Sequence, residues 1–308
     1  MKLTELDLSG KDLSVFPEFI PSPGQVEKLC LNENNLSVIP EIIDRFVGLI
    51  TFEAYHNDLT KLPDGICGLS KLQILNVGNN HISSLPENLG NLINLELLDV
   101  GHNDLLSLPK SMDKLASLRF LYLSNNHLSH LKAIFRNLSE LIYLNISSNE
   151  LNSIPDDVSY LTNLIEFRLY HNRFTSLPDF MKNLVSLKEL YVMNNQLIFL
   201  PDSIGDLKAL KKLNLDNNLL TIIPESITGL ANLNDLSLRN NKLSSVPNEI
   251  HNLSSLRLLD LRGNRLTYLP FGMVSLMNLE KLDLRWNKFS SFPSWLKELE
   301  NRGCIVYR

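Results

Sequence analysis

Apolar and polar residues follow each other along this chain in a pattern that repeats every 23 residues, as from Leu3 to Val26. Leucine or valine begins each of thirteen consecutive copies, and no insertion shifts the series before Leu279. The copies fit L-x-x-L-x-L-x-x-N-x-L-x-x-L-P-x-x-L-x-x-L-x-x, whose positions we number 1 to 23. A fixed period of this length is typical of repeat architectures, in which neighbouring units bury apolar edges that no single unit can bury alone.

Within one copy, the apolar positions predict two short elements. Positions 4 and 6 are apolar and flank one other residue, which predicts a short strand with one buried face. Positions 18 and 21 are apolar and three residues apart, as in Ile204 and Leu207, which indicates a turn of α- or 3₁₀-helix. Strand positions 2, 3, 5, 7 and 8 are then expected to face solvent.

Two further positions are nearly constant between the copies. Position 9 is asparagine in twelve of thirteen, with Lys11 the exception, and a buried amide can both donate to and accept from backbone groups. Position 15 is proline in twelve of thirteen, with Lys132 the exception. Proline lacks an N–H, so it suits the return segment of the coil. Lys132 therefore indicates either sequence drift or a locally different return segment.

The bulk composition excludes several classes of protein. The chain has 308 residues, of which 44% are hydrophobic, and a formal net charge of −5, which is too mild to indicate a nucleic-acid partner. The N-terminus has no apolar segment that would predict a secretory signal. No apolar run is long enough to span a membrane. Three widely separated cysteines argue against a disulfide framework, so we expect a reducing, cytoplasmic location.

The copies resemble the leucine-rich repeat family, and the resemblance covers residues 3 to 301. The form L-P-x-x-I-x-x-L, as in "LPDSIGDL" and "IPESITGL", is similar to intracellular Ras-group scaffolds, and bacterial effectors carry similar repeats. The resemblance implies an α/β solenoid. Its expected form is a curved horseshoe with a concave parallel β-sheet and short helical or irregular convex segments.

We predict one solenoid over residues 1–308. Residues 1–25 form an irregular N-terminal repeat that serves as a cap, and residues 26–278 form the regular repeats. Residues 279–308 hold the last repeat and a terminal edge strand, in which Ile305 and Tyr307 fall at positions 4 and 6. An open solenoid end could also stack on another copy, so the oligomeric state stays open.

The sequence carries no motif of a known catalytic centre. P-loop, H-E-x-x-H, C-x-x-C and G-x-S-x-G patterns are all missing, so we expect no catalytic residues, no cofactor and no enzymatic activity. Histidines recur near the strand ends, and metal binding would need their imidazoles to converge at about 2 Å from one ion. We interpret them as solvent-facing turn residues rather than metal ligands; they are His56, His102 and His171 at position 8, and His81 and His127 at position 10.

Candidate binding residues lie at the solvent-facing strand positions. Position 3 is apolar in four consecutive copies, with Ile74, Leu97, Phe120 and Tyr143, and Tyr122 adds a ring beside Phe120. Four strands spaced about 4.8 Å apart would give a patch roughly 15 Å long. Contiguous exposed apolar surface tends to mark a contact site. The alternative is simple strand propensity, because aromatic residues favour strands.

A second group of candidates combines aromatic and basic residues, which dominate interface hot spots. The alternative for its arginines is solvated cross-strand pairing with Asp260 and Asp283. At the solvent-facing strand positions, the charge changes from five acids and one base, Lys28, in the first three copies to a slight basic excess from the eighth copy on. Such a gradient can orient a partner. The group consists of Arg168, Tyr170, Tyr191, Arg239, Arg262, Arg285 and Trp286.

These patterns favour a non-enzymatic scaffold that binds a partner protein or peptide on the concave face. The resemblance to Ras-group scaffolds implies signalling partners such as a small GTPase, a kinase or a phosphatase. One alternative is a bacterial effector that docks on a host protein and reaches the host cytosol. Another is the substrate-targeting module of a larger enzyme.

Overall fold

The computed structural model describes residues 4–308, and the chain divides into two compact units. The first comprises Met1–Leu151 and Pro155–Leu161, and the second comprises Asn152–Ile154 and Thr162–Arg308. Strands of the first unit are β1 (Glu5–Asp7), β2 (Lys28–Cys30), β3 (Thr51–Glu53), β4 (Ile74–Asn76), β5 (Leu97–Asp99), β6 (Phe120–Tyr122) and β7 (Tyr143–Asn145). Strands of the second are β8 (Glu166–Arg168), β9 (Glu189–Tyr191), β10 (Lys212–Asn214), β11 (Asp235–Ser237), β12 (Leu258–Asp260), β13 (Lys281–Asp283) and β14 (Ile305–Tyr307).

Within each unit the strands pair in parallel and in chain order, β1 to β7 and β8 to β14. The register places position 3 beside position 3, as with Leu97 and Phe120. Successive side chains of a strand point to opposite faces. Position 4 therefore points inward: in β5, Leu98 is fully buried, while Leu97 and Asp99, at positions 3 and 5, are half-buried on the solvent face.

Proline at position 15 precedes most of the return helices. In these segments the N–H of position 18 donates to the carbonyl of position 15, as from Ile43 to Pro40 at 3.1 Å. No helix in residues 4–308 is long and apolar enough to cross a membrane. The 3₁₀ helices are Pro23–Gln25, Glu41–Arg45, Asp64–Gly68, Leu89–Asn91, Lys110–Lys114, Asp156–Tyr160, Asp179–Asn183, Asp202–Asp206, Glu225–Gly229, Asn248–Asn252 and Phe271–Ser275, and the one α-helix of the described residues is α1 (Leu296–Asn301).

The asparagines at position 9 join neighbouring coils through buried hydrogen bonds, as predicted. The Asn57 amide donates to the carbonyls of Leu31 and Ala54, at 2.9 and 3.2 Å. Its Oδ1 accepts the backbone N–H of Leu36 at 3.0 Å. The side chain therefore pairs backbone groups that the coil cannot pair itself, which removes the cost of leaving them unsatisfied.

The return segment that contains Lys132 differs from the others. Residues 129–142, all within the described part of the chain, form no helix. The N–H of Phe135, at position 18, donates instead to Oδ2 of Asp157 in the next copy, at 2.6 Å. Phe135 nevertheless stays fully buried. Lys132 therefore marks a locally different return segment rather than sequence drift within an ordinary one.

The expected register of the C-terminal strand was wrong by one residue. Lys281 pairs with Ile305, and Tyr307 pairs with Asp283, so the last step is 24 residues rather than 23. The extra residue follows from α1 and the turn after it, where Gly303 has a φ of +94°. Ile305 and Tyr307 therefore take positions 3 and 5 and are exposed, while Val306 points inward.

Candidate interaction surface

The predicted apolar residues of the first unit form one continuous patch on the solvent face of the sheet. Strand pairing places their position-3 side chains side by side. All of them are half-buried, so each keeps part of its surface available to a partner. We call this group the apolar patch; it consists of Ile74, Leu97, Phe120, Tyr122 and Tyr143.

The aromatic rings of the apolar patch are held in defined contacts. The rings of Tyr122 and Tyr143 lie with their centroids 4.7 Å apart and tilted by 35°. The Arg119 guanidinium lies 5.7 Å from the centre of the Phe120 ring. Tyr122 lies two residues after Phe120 on the same strand, and its ring contacts that of Tyr143 on the next strand. Such contacts fix the rings before a partner arrives, which lowers the ordering cost of binding.

One carboxylate inside this patch was missed by the sequence reasoning. Asp99 lies at position 5 of β5, paired with Asn76 on one side and Tyr122 on the other. It is half-buried, and burial raises the pKa of its carboxyl, although a hydrogen bond from the Gly101 N–H partly opposes this. Asp99 is the single acidic residue at positions 3, 5 and 7 of copies four to seven, a signal that the sequence did contain.

In the second unit, the predicted residues Arg168 and Tyr191 lie together and are held by two glutamates. Arg168 pairs with Glu166 at 2.5 Å and lies 5.4 Å from the centre of the Tyr191 ring. The Tyr191 hydroxyl donates to Glu189 at 2.5 Å, and burial, followed by this contact with Glu189, raises the pKa of the tyrosine. Arg168 and Tyr191 therefore form one cluster, and the predicted Tyr170 packs edge-on against its neighbour in sequence, His171.

The predicted arginine column at position 7 is mostly paired internally. Arg262 contacts Asp260 at 2.6 Å and Asp283 at 3.4 Å. Arg285 contacts Asp283 at 2.6 Å, and its guanidinium lies 4.8 Å from the centre of the Tyr307 ring. Arg239 makes no ion pair among the described residues, and its buried Nε has no hydrogen-bond partner there.

The alternative of cross-strand pairing holds for Arg262 with Asp283, but these groups are less solvated than that alternative assumed. The closest pairs join positions 5 and 7 of one copy, and the Asp283 side chain is 0% exposed. Burial alone would raise the pKa of Asp283, but the hydrogen bonds and charge of Arg285, with the charge of Arg262, lower it overall. Trp286, in contrast, is 67% exposed and lies under the Arg285 guanidinium at 5.6 Å.

The histidines occupy the turns at the strand ends. His102 and His171 have positive φ values and contact the amides of Asn125 and Asn194, at 3.0 and 3.2 Å. His127 lies 3.6 Å from Asp104. His81 lies 3.5 Å from the same carboxylate. Within residues 4–308, no group of three or more such side chains could hold a metal ion.

All three cysteines are unpaired and buried. Burial raises the pKa of Cys67 to about 11 and, together with Glu53, that of Cys30 to about 12. Burial also raises the pKa of Cys304. Thiols with raised pKa values are poor nucleophiles at neutral pH, because the reactive form is the thiolate.

Family models for leucine-rich repeats match residues 70–128, 103–198, 186–243, 210–266 and 278–299. A leucine-rich repeat protein of Leptospira interrogans is 30% identical, with 99% of this chain and 96% of that chain covered and a TM-score of 0.68. The chain belongs to the leucine-rich repeat family. Its fold is the α/β solenoid of that family, whose domains generally act as protein-interaction modules.

Two other leucine-rich repeat structures extend the comparison. The plant peptide hormone receptor RGFR1, solved in complex with RGF2, is 27% identical with a TM-score of 0.76. The match covers 99% of this chain and 55% of the receptor, so the chain spans about half the receptor's length. YopM from Yersinia enterocolitica is 27% identical with a TM-score of 0.67, and the match covers 94% of this chain and 62% of YopM. The comparison with curated proteins produced no match.

Proposed function

We propose that this leucine-rich repeat chain is a non-enzymatic scaffold that binds a partner protein or peptide on the solvent face of its sheet. The observation that carries the proposal is the apolar patch, where five large side chains on four neighbouring strands remain half-exposed. Burial of apolar surface is the main favourable term in association. A soluble protein that keeps this much apolar surface in one place gains from covering it with a partner.

The similarity to a receptor solved with RGF2 supports a peptide or protein as the partner of this chain. The rigid strands of the sheet favour the same class, because a preformed surface loses little entropy on binding. In the second unit, Arg168, Tyr191 and Trp286 offer further anchors of the types that dominate hot spots. A cytoplasmic signalling protein such as a small GTPase, a kinase or a phosphatase is the finer proposal, which rests on the resemblance to Ras-group scaffolds.

The test compares the wild-type chain with a Phe120→Ala, Tyr122→Ala, Tyr143→Ala triple variant in affinity capture, followed by titration of each captured partner. Circular dichroism first establishes that the variant is folded. We expect at least one partner to lose tenfold or more in affinity, because the truncation of central aromatic residues costs about 2 kcal/mol or more each at hot spots.

A matched control removes apolar area elsewhere in the same unit. Phe19, Ile93 and Leu106 are 82%, 57% and 63% exposed and lie outside the strands. Their triple alanine variant should bind the same partners as the wild type. Equal binding by the wild type and both triple variants would instead leave the apolar patch without a role in recognition.

A second candidate function is that of a bacterial effector that docks on a host protein. The similarities to YopM and to the Leptospira interrogans protein favour it, because both relatives are bacterial. The test fuses a translocation reporter to the chain in its source bacterium and measures the reporter product inside host cells. A reporter that stays in the bacterium would remove this candidate and leave the scaffold proposal intact.

A further inference from the structure

The Asp99 carboxylate differs from the aspartates at position 5 of the last two copies because no arginine stands at position 7 of its copy; the imidazole of His102, at position 8, is a nearby basic group. In β12 and β13, Asp260 and Asp283 also lie at position 5, and each pairs at 2.6 Å with an arginine two residues later, at position 7. In β5 the residue two positions after Asp99 is Gly101. The same backbone geometry that brings a guanidinium to Asp260 therefore brings only a backbone N–H to Asp99, which accepts it at 2.9 Å.

Glycine also stands at position 7 of the preceding copy, and both glycines leave the carboxylate uncovered. A Cβ at Gly78 would lie 3.1 Å from Oδ1 of Asp99, and a Cβ at Gly101 would lie 3.2 Å from the same atom. Neither glycine has a positive φ, so the backbone does not require glycine there. Their effect at this point of the sheet is to keep the Asp99 side chain open to an approaching group.

The groups around Asp99 suit a cation with an aliphatic stem. Tyr122 stands on the next strand in register with Asp99, and Leu97 lies on the same face two residues before it. An aromatic face attracts a cation, and an apolar wall accommodates methylene groups. Arg119, just before β6, has its guanidinium over the Phe120 ring, and the His102 ring contacts the Asn125 amide, so neither is held against the Asp99 carboxylate by an ion pair.

We propose that Asp99 receives a lysine or arginine side chain of the partner, so that the apolar patch recognises a peptide segment with a basic residue between apolar ones. This inference rests on the proposed function, whose binding surface it specifies. Charge elsewhere in the same unit agrees with it, because the solvent-facing strand positions of the first three copies carry five acids and one base, Lys28. Complementary potentials of this kind accelerate the encounter with a basic segment.

The experiment uses a displayed library of random peptides, selected on the full wild-type chain. Selected peptides are synthesised and titrated against the wild type, Asp99→Asn and, as matched control, Glu96→Gln, which removes a carboxylate at position 2 of the same copy. We expect the selected peptides to contain lysine or arginine beside apolar residues. Their affinity should fall tenfold or more for Asp99→Asn and stay within about twofold for Glu96→Gln.

A second variant tests the site without removing the carboxylate. Gly101→Arg should place a guanidinium beside Asp99, as Arg262 does beside Asp260, and so compete with the peptide from within the chain. Thermal unfolding of each variant separates lost binding from lost folding. Asp99→Asn keeps the oxygen that accepts the Gly101 N–H, so we expect it to fold as the wild type does.

Selected peptides that lack basic residues, or that bind Asp99→Asn as tightly as the wild type, would overturn the inference. If those peptides still lose affinity for the Phe120→Ala, Tyr122→Ala, Tyr143→Ala variant, the proposed binding surface stands and only the role of Asp99 falls. Peptides that bind this triple variant and the wild type equally, or a selection that yields no peptide at all, would count against both.

Discussion

The Asp157 carboxylate accepts the backbone N–H of Phe135, at 2.6 Å, across the boundary between two neighbouring copies. This bond replaces the one that the copies with proline make internally, such as Val158 N–H to Pro155 at 3.1 Å. The Phe135 N–H is partly buried, so removal of the carboxylate leaves it without an acceptor, which costs free energy. We expect Asp157→Ala to lower the free energy of unfolding by about 1–3 kcal/mol, measured by urea denaturation.

The neighbouring Asp156 provides the control for Asp157. Both aspartates lie in the first turn of the same 3₁₀ helix, but Asp156 is exposed. Asp156→Ala should change the free energy of unfolding by less than about 0.5 kcal/mol, as is usual for surface substitutions. Equal losses for the two variants would mean that charge near the helix end, and not the bond to Phe135, stabilises this segment.

The buried asparagine ladder predicts large losses of stability from single changes. Asn126 accepts the Leu105 N–H at 2.9 Å and donates to the carbonyls of Val100 and Leu123, at 3.0 and 3.1 Å. Asn126→Ala leaves these buried groups unpaired, so we expect a loss of about 3 kcal/mol in chemical denaturation. Asn91→Ala, at an exposed site, is the control. Similar midpoints for the two variants would contradict the role of the ladder.

Neighbouring return segments pack so closely at Gly90 that a side chain there would clash with the next copy. A Cβ at Gly90 would overlap the carbonyl oxygen of Ser111 in the next copy, whereas a Cβ at Gly68 would meet no atom within 4 Å. Gly90→Ala should therefore cost about 1–3 kcal/mol, because packed segments must move apart. Gly68→Ala should be neutral or slightly stabilising. The check is the midpoint of thermal unfolding, and a stable Gly90→Ala variant would refute the close approach.

Two aspartates of the second unit predict opposite dependences of stability on pH. The pKa of Asp283 is lowered in the folded state. Its contribution to the free energy of unfolding is therefore present above its pKa in the unfolded chain and is lost as the pH falls through its pKa in the folded protein. The pKa of Asp235 is raised, chiefly by burial. Its contribution to the free energy of unfolding is therefore present below its pKa in the unfolded chain and is lost as the pH rises through its pKa in the folded protein.

The corresponding asparagine variants separate the two effects. Asp283→Asn should be less stable than the wild type at neutral pH. Its free energy of unfolding should then fall less than that of the wild type as the pH is lowered. Asp235→Asn should be at least as stable as the wild type at neutral pH. Urea denaturation at a series of pH values between about 3 and 7 measures both. The prediction fails if the two variants shift the pH profile in the same direction.

Periodicity in the sequence was sufficient to predict the strands, the return segments and the asparagine ladder. The reason is that each copy is a short unit whose apolar positions have one way to become buried, by stacking on identical neighbours. The same periodicity placed Ile74, Leu97, Phe120 and Tyr143 in one row, because the 23-residue step fixes the register of β4 to β7. Their role in binding stays a prediction.

Departures from the period were decided by the tertiary structure alone. The one-residue change at Ile305 depends on how α1 and Gly303 close the last coil, and the helix-free segment after Lys132 depends on an acceptor, Asp157, from the next copy. The sequence by itself determined which positions are buried, since the burial of apolar groups follows a local pattern. Which charged groups find partners in another copy, as Arg262 does with Asp283, depends on distances between side chains of different copies, which no local pattern encodes.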